Sequence, residues 1–184
     1  MGILKIDDVE KKEIITEEPV KEKKNLDESA LMSMFSKEAI KIAEDNINNI
    51  SQILLGGGLT YTFSDKDTGI NGLSFGFRTL TAGEENTINH LVRMQGWDSN
   101  PSRVSFNLVT FENVVHSMIS YNDFNMANSP ADEKRKRLSK VPSFIMENII
   151  FPRYHFFMEA LSILSNPEVY DFLLKKSFPT KNQG

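Results

Sequence analysis

Two short segments with alternating apolar and polar residues constrain the fold of this chain more than any other feature. A period of two with aromatic and β-branched side chains is typical of half-buried strands. The two segments are Leu59-Thr60-Tyr61-Thr62-Phe63 and Leu73-Ser74-Phe75-Gly76-Phe77. Residues 65–72, which lie between them, are rich in turn formers, so we predict a β-hairpin. Because a lone hairpin is marginally stable, it must pack on helices or gain another strand.

The first 28 residues differ in composition from the rest of the chain. Nine of them are acidic, six are basic and none is aromatic. Such a segment cannot bury enough apolar area to offset its ordering entropy, so residues 1–28 are predicted to be a disordered tail. A short docking segment built on Ile14-Ile15 is the alternative.

An amphipathic helix is predicted for residues 29–55. The helix should begin at about Leu26, with Asp27 or Ser29 as its N-cap. Its apolar residues recur at spacings of three and four, which places them on one face. They are Ile40, Ala43, Ile47, Ile50 and Leu54. The glycines at 56–58 end the helix and form a hinge. The face either packs on the domain or binds a partner, or a second copy, through Ile40, Ile47, Ile50 and Leu54.

Helical patterns dominate the chain after the hairpin. Thr81 and Glu84 form a capping box that opens a helix ending at Gly96. Residues 102–121 are predicted to be a buried helix through Val104, Leu108, Phe111, Val115 and Met118, with some strand risk at β-branched positions. Ser129-Pro130 caps the next helix. The apolar segment 143–164 should be kinked or split by Pro152, and a last helix opens at Asn166-Pro167.

The predicted fold class is therefore α+β and predominantly α-helical. One β-hairpin is followed by a helical bundle, with a disordered tail before them. Residues 59–178 form the hairpin and helical domain, and the first helix stands outside it.

Composition excludes several classes of protein and site. The 184 residues contain no cysteine, which removes disulfides and thiolate metal sites. No stretch approaches the roughly 20 apolar residues of a membrane helix, and no export signal is visible. His90, His116 and His155 lack the spacing of a helical metal pair. We expect no catalytic site, no cofactor, no metal and no membrane partner.

The basic cluster is Lys134-Arg135-Lys136-Arg137 with Lys140. Its neighbours Asp132 and Glu133 favour a solvated helix face as the default interpretation. Contact with an acidic partner surface, through Lys134, Arg135 and Arg137, is the main alternative. A net charge of −4 does not favour binding to a phosphate backbone.

The order of the elements resembles that of small bacteriophage tail-assembly proteins. The resemblance lies in residues 75–85, FGFRTLTAGEE, in the Arg/Lys-rich helix and in the step Leu138-Ser139-Lys140-Val141-Pro142. These segments, within about residues 73–165, are similar to tail assembly chaperones and to baseplate-hub assembly proteins of contractile-tailed phages. The resemblance implies a non-enzymatic scaffold that binds tail or baseplate proteins, in the host cytoplasm or incorporated in the virion. It carries over no catalytic or binding residue.

Two other functions remain as hypotheses from the sequence. The first is a regulatory or nucleic-acid-binding module that uses residues 134–140, and salt-dependent DNA binding would identify it. The second is an enzyme with an unrecognised site, which would need a cleft containing perturbed titratable groups.

Overall fold

The computed structural model describes residues 32–50, 53 and 58–177 of the chain. The fold is predominantly helical α+β, as expected from the sequence, and it contains a four-stranded antiparallel sheet. Its elements in chain order are α1 (Lys37–Asn46), a 3₁₀ turn (Ile47–Asn49), β1 (Thr60–Phe63), α2 (Asp65–Thr68), β2 (Phe75–Arg78), α3 (Ala82–Met94), α4 (Arg103–Ser117), β3 (Met118–Tyr121), β4 (Phe124–Asn125), α5 (Ala131–Leu138), α6 (Ser143–Ile145), a π turn (Met146–Ile150), α7 (Phe151–Ser165) and α8 (Pro167–Ser177).

The predicted hairpin is confirmed, and it gains strands from elsewhere in the chain. β1 pairs antiparallel with β2, placing Phe63 opposite Phe75. β2 pairs in turn with β3, and β3 pairs with β4, which gives the sheet order β1-β2-β3-β4. The connection between β1 and β2 contains the single helical turn α2, in which Ser64 and Asp67 form a capping box.

The prediction of one continuous helix over residues 102–121 is wrong at its carboxyl end. The helix stops at Ser117, and Met118 takes an extended conformation that starts β3. Asn122 adopts a positive φ of 49° in the two-residue turn between Tyr121 and Phe124. Asparagine tolerates this left-handed conformation better than most residues, so the turn closes a second hairpin. Pairing with β2 then favours the strand over the helix at 118–121.

A single cluster of buried side chains joins the sheet to the helices. Phe77 on β2 is fully buried, and its ring lies 5.4 Å from that of Tyr154 and 5.9 Å from that of Phe157, centroid to centroid. Tyr154 and Phe157 both belong to α7. The core therefore lies between one face of the sheet and this long helix.

Helix α1 packs into the same core and does not present an apolar face to solvent. Ile47 and Ile50 are buried, and Ile40 is half-buried against the cluster. The side chains proposed from the sequence as a partner-binding face are thus occupied by intramolecular packing, which favours the packed alternative. Leu54, the fourth of them, lies outside the described residues, as do residues 1–28 with Ile14-Ile15 and the caps Asp27 and Ser29.

The helix that packs on the domain begins at Lys37, later than the sequence predicts. Ser36 is its cap, and the Ser36 side chain accepts a hydrogen bond from the Ala39 amide at 3.2 Å. The Ser36 amide and hydroxyl donate to the two carboxylate oxygens of Glu159 at 2.9 and 2.6 Å. These two bonds fasten the start of α1 to α7.

Gly58 is held tightly, which differs from the hinge predicted for residues 56–58. Its φ is +66°, and a Cβ at this position would lie 2.3 Å from the Thr79 hydroxyl oxygen. That hydroxyl accepts a hydrogen bond from the Leu59 amide at 2.7 Å. Glycine is required here by both the backbone conformation and the close approach. Residues 56 and 57 lie outside the described residues.

The remaining helix boundaries agree with those predicted from the sequence, except at the start of α5. Thr81 and Glu84 form the predicted capping box, and Gly96 has the positive φ expected after a helix. α5 begins at Ala131 with Pro130 as its cap, so Ser129 does not cap it and proline does not occupy its first turn. The predicted interruption near Pro152 is the π turn, which ends immediately before α7.

Candidate functional site

Three of the five cations in the basic cluster have partners within the protein, whereas Lys136 and Lys140 are exposed. Lys134 is buried, and its ammonium group donates to the carbonyl oxygen of Met118 at 2.7 Å. Burial lowers the pKa of Lys134 below its ordinary value. The guanidinium of Arg137 lies 4.1 Å from the ring centroid of Phe124 on β4, a cation–π contact. Both cations thus hold the second hairpin against α5.

Arg135, the third cation proposed for partner binding, is paired with carboxylates of its own chain. Its guanidinium donates from Nε and Nη2 to the two oxygens of Glu112 on α4, at 3.0 and 2.7 Å. It also contacts Asp132. Glu112 is buried, and this bidentate pair satisfies its charge. The neighbouring acidic residues Asp132 and Glu133 favoured a solvated face in the sequence, and the distant partner Glu112 is visible only in the structure.

A second bidentate ion pair joins the end of β2 to the start of α3. Arg78 donates to both oxygens of Glu84, at 2.9 and 2.5 Å, and Glu84 also accepts from the Thr81 amide at 2.9 Å. Hydrogen bonding from Arg78, followed by that from Thr81, lowers the pKa of the Glu84 carboxyl to about 2. The group serves as a cap and as an ion-pair partner, which explains its position without a catalytic role.

We expect folding stability to fall as the pH is lowered from about 4.5 to 2, partly because of Glu84. Its pKa is lower in the folded state than the ordinary value of 4.5, so its contribution is present above that value and is lost as the carboxyl protonates. The contribution should be on the order of 2 kcal/mol for this partly exposed group. Urea unfolding at several pH values measures it. Glu84→Gln should be less stable at pH 7 and should show a shallower acid loss; an unchanged acid profile would contradict the assignment.

A small polar cleft lies where α1, β1 and the turn α2 meet. It has a volume of about 310 Å³ and is lined by Glu38, Lys41, Tyr61, Asp67, Arg153 and neighbouring apolar side chains. Lys41 pairs with Asp67 at 3.4 Å. Arg153 donates from Nε and Nη2 to the Asp67 carbonyl oxygen and from Nη1 to the Ile149 carbonyl oxygen. Lys41 and Arg153 therefore lie in the same cleft as the carboxylates of Glu38 and Asp67. Most of the hydrogen-bond donors of Arg153 are used to join the turn α2 to α7.

The first half of α4 exposes apolar side chains that the sequence predicted to be buried. Val104 is 68% exposed, Phe106 57% and Leu108 38%, whereas Val115 near the end of the helix is fully buried. The ring of Phe106 stacks on that of His155, with centroids 5.6 Å apart and planes 17° from parallel. The apolar periodicity correctly predicts a helix, but only the second half of that helix faces the core.

Val104 and Leu108, but not Phe106, line an open groove of about 460 Å³ between α4 and the segment from the end of α5 to α7. One wall is α4, and the other comes from the end of α5, the following loop, α6 and the π turn. Its apolar lining consists of Val104, Leu108, Phe111, Leu138, Val141, Met146 and Phe151. Phe144 on α6 is 65% exposed and follows Ser143, which also lines the groove. A contiguous exposed apolar surface of this kind is typical of a protein-interaction site.

Charged side chains border the groove. Arg103 on α4 pairs with Glu147 of the π turn at 3.2 Å, and Glu147 also lines the groove. Lys140 lies between two lining residues, Ser139 and Val141. The ion pair between Arg103 and Glu147 therefore joins the two walls of the groove.

Sequence reasoning missed the groove because burial depends on which elements the chain brings together. Val104, Phe106 and Leu108 alternate with polar residues at a spacing of two, and this could have indicated that more than one face of α4 is apolar. Phe144 belongs to the apolar segment 143–164, and nothing local distinguishes it from the buried Phe151.

The three histidines do not form a site together. His90 is exposed on α3, His116 is half-buried on α4, and His155 stacks on Phe106. Burial lowers the pKa of both His116 and His155. Among the described residues, no group of three or more His, Asp or Glu side chains could hold a metal ion. Of the helices in the described ranges, none combines the length and apolar character needed to cross a bilayer.

Comparisons with known proteins found no matching family model, no similar curated protein and no similar solved structure.

Proposed function

We propose that this protein is a non-enzymatic binding protein that contacts other proteins through the groove between α4 and the π turn. The observation that carries the proposal is the exposure of Val104 and Leu108 in the lining of one largely apolar groove, with Phe144 exposed beside the lining residue Ser143. Burying such side chains against a partner releases them from water, which is the main driving force of protein association. The polar cleft near Lys41 offers less, because Lys41 already pairs with Asp67 and Arg153 already binds the Asp67 carbonyl oxygen.

The biological setting that we propose is bacteriophage tail or baseplate assembly, in the host cytoplasm or in the virion itself. It rests on the resemblance of residues 73–165 to tail assembly chaperones and baseplate-hub assembly proteins. The groove lies largely within this region, because its lining runs from Val104 to Phe151. A scaffold of this class would act by exposing an apolar surface to tail components during assembly.

The contacts of the basic cluster do not favour the alternative function in nucleic-acid binding. Lys134, Arg135 and Arg137 each have a partner within the chain, which leaves Lys136 and Lys140 as the exposed cations of the cluster. Two lysines are few for neutralising a phosphate backbone.

Substituting Val104, which lines the groove and is 68% exposed, should abolish partner binding without unfolding the protein. In a phage-infected lysate, the tagged wild-type chain should co-purify with a tail or baseplate protein identified by mass spectrometry. Val104→Asp should recover at least tenfold less of it, because a charge would then enter the apolar contact. Met94→Asp is the matched control, since Met94 is 70% exposed on α3 and does not line the groove. Recovery of the wild-type chain alone, or equal recovery by both variants, would overturn the proposal.

A further inference from the structure

We propose that the small polar cleft between α1, β1, the turn α2 and α7 binds a free α-amino acid with an apolar side chain. The cleft shares no lining residue with the groove, so it is a second site and lies outside the proposed function. Its volume of about 310 Å³ is at the lower end of the range of ligand pockets, roughly 300–1,000 Å³, which favours a small molecule.

Arg153 is a cation of the cleft that has no anionic partner. Its Nε and Nη2 donate to the Asp67 carbonyl oxygen at 3.1 and 2.5 Å, and its Nη1 donates to the Ile149 carbonyl oxygen at 3.3 Å. Both acceptors are uncharged, and Arg153 forms no ion pair with any residue that the structure describes. A guanidinium has five N–H groups, so one N–H on each terminal nitrogen stays available. A guanidinium held in place in this way is suited to binding a carboxylate.

The charge of Arg153 is also partly removed from water. Arg153 is half-buried, and burial lowers its pKa from the ordinary value. A carboxylate that binds beside the guanidinium would stabilise this charge more than its present carbonyl partners do.

The other cation of the cleft, Lys41, is already balanced by Asp67. The Asp67 Oδ1 pairs with Lys41 at 3.4 Å, and its Oδ2 accepts from the Ser64 amide and hydroxyl at 2.9 and 2.7 Å. The bonds from Ser64, followed by that from Lys41, hold the pKa of the Asp67 carboxyl below its usual range. Both oxygens of Asp67 are thus in use, and Asp67 is not the group that would receive the ammonium of a ligand.

Glu38 supplies the unpaired negative charge. It lies three and four residues before Lys41 and Ile42, so all three share one face of α1. Glu38 is exposed and makes no ion pair within residues 32–50, 53 and 58–177. Its charge raises the pKa of Arg153 without a direct bond. The cleft therefore presents one unpaired cation and one unpaired carboxylate, and the complementary ligand carries both an ammonium and a carboxylate group.

The apolar lining of the cleft explains why the ligand should have an apolar side chain. Ile42 is 1% and Phe63 is 4% exposed, and Phe156 is half-buried beside them. An apolar side chain that covers these residues leaves water, which favours binding. A zwitterion without a side chain, such as glycine, would lack this contribution.

Amide NMR titration of the ¹⁵N-labelled full chain tests the proposal. L-leucine and L-phenylalanine are each compared with the corresponding amine, which lacks the carboxylate, and with the corresponding acid, which lacks the ammonium. At least one amino acid should bind tenfold or more tightly than both of its analogues. The shifts should centre on the amides of residues 38–42 and 61–63.

Glu38→Gln isolates the ammonium contact, because Glu38 is exposed and unpaired and its loss should leave the fold unchanged. This variant should bind the amino acid at least tenfold more weakly and should bind the acid analogue as the wild type does. Arg153→Met should weaken binding of the amino acid and of the acid analogue alike. Glu85→Gln is the matched control, since Glu85 is exposed on α3 and does not line the cleft.

Three results would overturn the proposal. The first is that neither amino acid binds, and the second is that an analogue with a single charge binds as tightly as its amino acid. The third is that Glu38→Gln binds the amino acid as well as Glu85→Gln does. Val104→Asp, which tests the groove, should leave amino-acid binding unchanged, so the two sites are judged separately.

Discussion

The Phe77→Ala variant is expected to lose about 3–5 kcal/mol of folding stability, the largest effect of a single substitution that we foresee. Phe77 is fully buried, and its ring contacts those of Phe63, Phe75, Tyr154 and Phe157. Removing it would leave a cavity between the sheet and α7, since neither wall can move in without breaking strand pairing or helix packing. Most domains are stable by only about 5–15 kcal/mol, so the loss should be visible as a large fall in the urea midpoint.

Phe144→Ala is the matched control for this experiment. It removes the same atoms from a side chain that is 65% exposed, so stability should change by less than about 0.5 kcal/mol. The pair of variants therefore measures how much of the loss in stability comes from burial of the ring. A loss of several kcal/mol at Phe144 would mean that this ring is buried in solution, and a loss below about 1 kcal/mol at Phe77 would contradict its central place in the core.

The Arg135→Met variant should lose about 2–3 kcal/mol, because it would leave the buried carboxylate of Glu112 without its partner. Breaking a fully buried ion pair typically costs 3–5 kcal/mol, and we expect less here because the Arg135 side chain is about one-third exposed. The double variant Glu112→Leu with Arg135→Met should lose less folding stability than Arg135→Met alone, because no charge remains buried. Urea unfolding of the wild type, of the single variants Arg135→Met and Glu112→Leu, and of the double variant forms a double-mutant cycle. This cycle isolates the interaction energy of the pair.

An exposed ion pair supplies the comparison. Arg103→Met removes the partner of Glu147, but Arg103 is 85% exposed, so its loss should be below about 0.5 kcal/mol. If Arg135→Met were no more destabilising than Arg103→Met, the Glu112 carboxylate would not be buried in solution. If the double variant were the least stable of the set, packing of the Arg135 methylene groups would contribute more to stability than the ion pair does.

The sequence was informative where local chemistry decides structure. The capping box at Thr81 and Glu84 places the start of α3 correctly, because both groups lie within one turn of the chain. The alternating residues of 59–63 and 73–77 likewise gave the first hairpin. The second hairpin was missed because residues 118–121 continue a helical apolar pattern, and only pairing with β2 favours a strand there. The turn at Asn122-Asp123 between two aromatic residues was the local signal available.

The candidate site could not be located from the sequence, since it depends on contacts between distant segments. Ile47 and Val104 look alike as members of apolar helical stripes, yet one is buried and the other is exposed. Lys134 and Lys136 look alike within one basic run, but only Lys134 meets a backbone carbonyl oxygen, at the start of a strand 16 residues earlier. Which side chains are buried, and which groups they bind, depends on how the helices assemble. A single sequence does not give that assembly.

The two hydrogen bonds between Ser36 and Glu159 have a consequence for how the protein is made on the ribosome. The bonded residues are separated by 123 positions, so α1 is synthesised long before its partner helix exists. At translation rates of roughly 5–20 residues per second, about 6–25 s pass before Glu159 is added. During that interval the buried apolar side chains of α1, such as Ile42, lack their packing against α7. A nascent-chain chaperone is therefore expected to cover α1 until α7 has been synthesised.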